Sequence, residues 1–192
     1  MPPGLRDRKK QQAREAIVDA ALELFAHDGY DDTTVQAVAD RAGVSAATVA
    51  RYFPTKDSLL FAERDTRIAA LRAAVLGRPA RESPLRAVIA SLADQAPFTD
   101  TTRIRLLRSR QAIARSTVLR GRSVHLLDEW RDGIADALDE RGVDPFDARV
   151  LATAVIAVLD DAATRWADDG GHRDLRDDIQ RALRVLETRR KP

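Results

Sequence analysis

The sequence contains no cysteine, which excludes a disulfide scaffold, a cysteine-ligated zinc site, an iron–sulfur cluster and a thiol nucleophile. Histidine is nearly as scarce. His27, His125 and His172 do not pair at metal-ligand spacing, and none sits in a catalytic motif. A glycine-rich phosphate loop and a dinucleotide fingerprint are also missing. No catalytic residue, metal ligand or cofactor site is therefore assigned. The longest largely apolar run, 150–159, is bounded by Arg149 and Asp160 and is too short to span a bilayer. The N-terminus is charged and lacks the apolar segment of a secretory signal, so the expectation is a cytoplasmic protein with no membrane partner.

An excess of one charge sign is lacking too. Net charge is +2 over 192 residues, which does not support bulk coating of nucleic acid. The distribution is uneven, however. Residues 1–56 balance to zero, 57–127 carry thirteen Lys/Arg against six Asp/Glu, and 128–192 carry eleven against sixteen. Local basic clusters can still serve specific contacts. Hydrophobic residues at 44% and charged residues at 32% suit a globular chain with a core, as one ordinary domain or a small one joined to a larger.

Nearly every segment reads as helix, and strand-like alternation is absent. A first helix is expected over 8–28, with Ile17, Ala21, Leu24 and Phe25 as its apolar stripe and Gly29 as terminator. Thr34 opens a short second helix ending near Ala42, Gly43 breaks it, and Ser45 caps a third running through Phe53. Pro54 stops that helix, and a long fourth is expected over 56–76. Gly77, Pro79 and Pro84 punctuate a link. Further helices are expected over 85–96, 101–115, 117–141, 146–168 and 174–190. The fold class is all-α, with about nine helices.

The informative stretch is 35–53, VQAVADRAGVSAATVARYF. Two short helices around a tight glycine turn have the form of a helix-turn-helix. Ala39 lies where the helices cross, Gly43 can take a positive φ, and Val38, Val44 and Val49 can pack the second helix onto its supports. A tight corner in any all-helical protein is the plainer alternative.

Together with Phe25, Gly29, Thr34 and the run 52–60, YFPTKDSLL, this segment resembles the TetR (tetracycline-repressor) family of regulators over about the first sixty residues. The resemblance implies a homodimer that binds double-stranded DNA through a three-helix head, 1–56. It also implies a helical domain, 57–192, that dimerises and senses a small-molecule effector. Carried over residue by residue, Ser45 to Tyr52 match the helix that enters the major groove, while Thr34, Tyr52 and Lys56 match phosphate-contacting positions. The implied DNA-contacting set is Thr34, Ser45, Ala46, Ala47, Thr48, Arg51, Tyr52 and Lys56. This chain has Ala50 where the family usually has an aromatic residue, and Ala47 where it often has glycine. Small side chains here can touch thymine methyls, leaving Ser45, Thr48 and Arg51 for hydrogen bonds. Arg6, Arg8, Lys9, Lys10 and Arg14 read as a basic arm before the first helix, for which the alternative is a solvated tail.

The remaining candidates concern the effector. Residues 103–122 hold seven arginines and no acid. A solvated face is the common reason for such a run, but Arg108 and Arg115 are candidates for gripping an anion. His125, Trp130 and Trp166 complete the pocket candidates, with core packing as the alternative for both tryptophans. An amphipathic anion satisfies an apolar interior and a basic surface together, a fatty acyl-coenzyme A thioester being one example. The C-terminal part also looks similar to TetR-type regulators that respond to acyl-CoA. The chain is thus read as a repressor and not an enzyme. A small helical enzyme or ligand-binding protein acting on a small molecule is the rival reading.

Overall fold

Local caps set most of the helix boundaries. The computed structural model describes residues 4–62, 64–94 and 99–188. Among them the elements are α1 (Leu5–His27), α2 (Val35–Ala42), α3 (Ala46–Tyr52), a 3-10 turn (Asp57–Leu59), α4 (Arg64–Leu76), α5 (Pro84–Asp94), α6 (Asp100–Arg115), α7 (Thr117–Glu140), α8 (Pro145–Asp168) and α9 (Leu175–Thr188), with no strand. The all-α expectation is met. Thr34 Oγ1 accepts from the Ala37 amide at 3.0 Å, and Ser45 Oγ accepts from the Thr48 amide at 3.1 Å. The Asp144 carboxylate receives the Phe146 amide at 2.9 Å, with Pro145 in the first turn, where its missing N–H costs nothing.

Two expectations need correction. The basic run Arg6–Arg14 is not an arm before the first helix but its opening turns, because α1 already begins at Leu5. Arginine, lysine, glutamine and alanine are all good helix formers, so nothing there stops it. The long fourth helix is also divided. After the 3-10 turn the chain bends through 60–62 before α4 starts, and the Ala62 carbonyl accepts from the Arg14 guanidinium. The expected ends of the fifth helix at 96 and the ninth at 190 lie outside the described residues.

The chain divides into two compact units. The first joins Met1–Ala62 with Ile104–Gly121. Its core gathers Ile17, Ala21 and Phe25 of α1, Val38 and Ala39 of α2, Val49 of α3, and Leu59, all fully buried. Ala112 and Leu119 enter the same core from residues 104–121, a segment that the sequence reading gives to the larger domain. Leu119→Ala is therefore expected to cost about 2–5 kcal/mol, the range for emptying a buried leucine site. Denaturant unfolding monitored on the first unit measures it. A loss below about 1 kcal/mol would mean the segment only rests on that core.

The second unit joins Glu63–Arg103 with Arg122–Pro192. Leu71 and Val75 of α4, Leu85 and Val88 of α5, Ile134 and Leu138 of α7, and Ala152 and Val155 of α8 form its core. Arg141 closes the end of α4, donating to the carbonyls of Val75 at 3.0 Å, Arg78 at 2.7 Å and Pro79 at 3.0 Å. Arg78 in turn bonds both carboxylate oxygens of Glu82, which holds the Glu82 carboxyl below its ordinary range. Among the described residues no helix is long and apolar enough to cross a membrane.

Candidate functional site

The geometry of α2 and α3 follows from five small features. Gly43 has φ +68°, a left-handed turn that a β-carbon would strain, and its amide bonds back to Ala39 and Asp40. Ala39 is fully buried, as the closest approach of two short helices requires. Val49 is fully buried and anchors α3 from beneath. The two hydroxyl caps then fix where each helix starts.

With one face used for anchoring, α3 turns Ala47, Ala50 and Arg51 to the outside, while Ala46, Thr48 and Tyr52 are half-buried. Ser45 and Thr48 share a hydroxyl–hydroxyl bond of 2.9 Å at the start of the helix. The Arg51 guanidinium lies 5.0 Å from the centre of the Tyr52 ring, a cation–π arrangement that keeps a planar donor fork on the exposed surface. The structure thus brings Ser45, Ala46, Ala47, Thr48, Arg51 and Tyr52 onto one short helix and its cap. Thr34 sits exposed at the N-terminus of α2.

Lys56 is differently placed. Its ammonium donates to the carbonyl oxygens of Tyr30 at 2.7 Å, Thr33 at 3.1 Å and Asp31 at 3.4 Å. It also lies 4.2 Å from the centre of the Tyr30 ring.

The arginine run has acceptors on α1. Arg105 grips Asp19 through both carboxylate oxygens, at 2.6 and 3.0 Å. Arg108 lies 3.7 Å from Glu23, which also receives Arg41 of α2 at 2.6 Å. Arg115 donates to the carbonyls of Ala26 at 2.7 Å and His27 at 3.3 Å, at the end of α1. The signal for this was present in the sequence as Asp19 and Glu23, four residues apart on one face of the first helix.

The other pocket candidates belong to the second unit. His125 is exposed on α7, and Trp130 is half-buried against the core. Trp166 is 1% exposed and its indole N–H donates to the Arg173 carbonyl at 2.9 Å. A residue the sequence reading did not single out is Ser91 of α5. It is fully buried, and its hydroxyl has no hydrogen-bond partner among the described residues. One serine in an amphipathic helix gives no warning in a sequence that its hydroxyl is orphaned.

Known proteins resemble both parts of the chain. Residues 17–62 match the family described as bacterial regulatory proteins, tetR family, and residues 82–191 match the MftR C-terminal domain. MftR of Mycobacterium tuberculosis, whose name assigns it to regulation of mycofactocin biosynthesis, is 26% identical over 84% of this chain and 83% of its own length. The helix-turn-helix regulator TcmR of Streptomyces glaucescens is 38% identical, but over 45% of this chain and only 38% of that relative. Among solved structures, the repressor FadR of Thermus thermophilus in complex with lauroyl-CoA superposes with a TM-score of 0.56 at 27% identity, covering 90% of this chain and 92% of that one. The second match alone takes in more than half of the sequence, and the chain belongs to the TetR family of transcriptional regulators.

Proposed function

We propose that this chain is a homodimeric repressor that binds a pseudo-palindromic operator and is released by a small lipophilic or amphipathic effector. Residues 1–56 would carry the DNA contacts and 57–192 the sensing and dimerisation surfaces, the protein acting in the cytoplasm and catalysing nothing. The observation that carries the reading is α3 itself. A seven-residue helix is anchored by Val49, fixed by Gly43 and two hydroxyl caps, and faces outward with small side chains and one arginine. That is a surface suited to a major groove, where helix N-termini meet phosphates and short side chains meet base edges.

The dimer reading is supported by the outer face of α8. Phe146 is 75% exposed and Val150 half exposed, and Thr153 and Ala157 continue the same stripe. Ala152 and Val155 turn inward to the second core, so they cannot contribute to such an interface. On α9, Leu175 is buried and Ile179 packs on that core, while the side chains of Leu183 and Leu186 lie outside the described residues. A two-fold axis on this stripe would bury like against like and pair two α3 helices on one operator.

For the effector, the reading rests on an apolar core that holds one orphaned hydroxyl. Ser91 with Trp130 at the edge of the same unit offers the few polar groups and apolar wall of a small-molecule site. The lauroyl-CoA complex of the T. thermophilus relative makes acyl-CoA the first compound to try. Arg108 and Arg115 are not assigned to its phosphates, because their guanidiniums already have acceptors on α1.

The test is titration of the DNA upstream of the chain's own gene at fixed salt, followed by acyl-CoA of increasing chain length. Operator binding should exceed binding to unrelated duplex by about 1,000-fold or more. Effector should weaken it with a coupling of about 1–3 kcal/mol. Ser91→Ala should leave the fold as stable or more stable, because an unpaired buried hydroxyl is a cost of about 1–3 kcal/mol, while blunting the response. Equal affinity for all duplexes, or turnover of the acyl-CoA by the protein, would overturn the reading.

A further inference from the structure

The loop between α1 and α2 is short, and its backbone carbonyls need donors from elsewhere in the chain. Three of them, from Tyr30, Asp31 and Thr33, point at one atom, the Lys56 ammonium. The remaining side of that ammonium is covered by the Tyr30 ring, 4.2 Å away. The ring is itself held edge-on to Phe25 of α1, with centroids 5.1 Å apart. Thr33, nearly buried, ties the loop from the other side by donating to the Gly29 carbonyl at 2.7 Å. The next residue is Thr34, the cap of α2.

An ammonium carries three N–H donors and no acceptor. Three carbonyls consume all three, so a phosphate oxygen could gain one only by displacing a carbonyl. We infer that Lys56 is a positioning residue and not a direct phosphate ligand. The three carbonyls and the Tyr30 face form a cage for a small cation, Lys56 is its tethered occupant, and the occupied cage fixes Thr34 and the N-terminus of α2 for DNA. The inference rests on the operator-binding reading for its functional consequence, but the cage is testable without DNA.

Two variants separate a cage from a phosphate contact. In Lys56→Arg the positive charge stays and phosphate affinity should not suffer, since a guanidinium grips phosphate at least as well. Its planar fork, however, cannot aim three donors at converging carbonyls. Operator affinity of Lys56→Arg should therefore fall by about tenfold, comparable to loss of a helix cap, with the slope of log affinity against log salt unchanged. Lys56→Ala should fall at least as far. Replacing sodium with methylammonium at constant ionic strength should restore Lys56→Ala specifically, because truncation leaves room for the free cation to enter the cage. Hydrogen exchange of amides 30–37 should quicken in both variants and slow again with methylammonium in Lys56→Ala alone, while amides of α1 stay protected.

Full affinity in Lys56→Arg, or a salt slope reduced by about one unit in Lys56→Ala without methylammonium rescue, would identify a phosphate ligand and overturn the inference. Should Lys56→Ala not fold, the arginine variant decides alone. If no operator is found, the exchange measurements still stand. Exchange quickened at 30–37 and reversed by methylammonium then supports the cage while the DNA reading fails, and unchanged exchange refutes the cage itself.

Discussion

Trp166→Ala is expected to lower the unfolding free energy by about 3–5 kcal/mol, the range for removing a fully buried aromatic side chain. The indole sits at the turn from α8 into α9, where it does two things. Its N–H donates to the Arg173 carbonyl at 2.9 Å, holding the returning chain. Its ring fills the space under Gly171, where a β-carbon would come within 3.0 Å of the ring on a backbone with φ +72°. Truncation leaves both an unpaired carbonyl and a cavity. Trp166→Phe keeps most of the ring and loses the bond, so it should cost less, with the hydrogen bond accounting for about 1 kcal/mol. Urea denaturation followed by circular dichroism measures both. A loss below about 1 kcal/mol for the alanine variant would mean the corner is held by something other than the indole.

That corner shows how much of the fold the residues alone could carry. Helices α2, α3, α6, α7 and α8 begin and end within about a residue or two of where local signals place them. Those signals, Thr34, Gly43, Ser45 and Gly142, act on backbone groups three or four positions away. Trp166 is legible in the sequence only as a large aromatic residue on a helix, a pocket candidate for which core packing is the commoner reason. What settles its place is the Arg173 carbonyl and Gly171, which are near in space only because the chain turns. The bend after the 3-10 turn was missed for the same reason. Arg14 reaches the Ala62 carbonyl across 48 positions, and nothing between 56 and 64 announces it.

The positive charges are legible in the sequence as charges, but their acceptors within the protein are not. A basic residue near a motif invites an anionic partner, yet Lys56 and Arg115, like Arg141, donate to the protein's own carbonyls. Lys56 serves the loop after α1, Arg115 the end of α1, and Arg141 the end of α4. The physical reason is shared. Carbonyls at a helix end or in the loop that follows lack intrahelical donors, and at the helix end the dipole adds partial negative charge. A composition count does not see backbone carbonyls, so a sequence reading assigns such cations to phosphates by default. Arg105 and Arg108 face side chains instead, Asp19 and Glu23, the first of them 86 positions away from its partner. By contrast α3 was legible in nearly every residue, because its anchoring and its exposed face are both set by its own short sequence.

Ala47→Glu should abolish practical operator binding while leaving the fold intact, and it tests the proposed DNA contact most directly. Ala47 is exposed in the first turn of α3. A carboxylate there is favourable for the helix, since it complements the positive end of the dipole and no neighbour must move. Thermal stability should therefore be unchanged or slightly higher. In a major groove the same carboxylate would lie among phosphates and base acceptors. Like charges brought together in a desolvated interface cost several kcal/mol, so affinity should fall on the order of 100-fold or more. Ala47→Gln controls for size, because it adds nearly the same volume without the charge and can still hydrogen-bond a base edge. The gap between the two variants should narrow as salt rises, since screening weakens repulsion but not steric fit. Binding by Ala47→Glu equal to that of the unaltered protein would remove α3 from the groove, whatever the fate of the sensing domain.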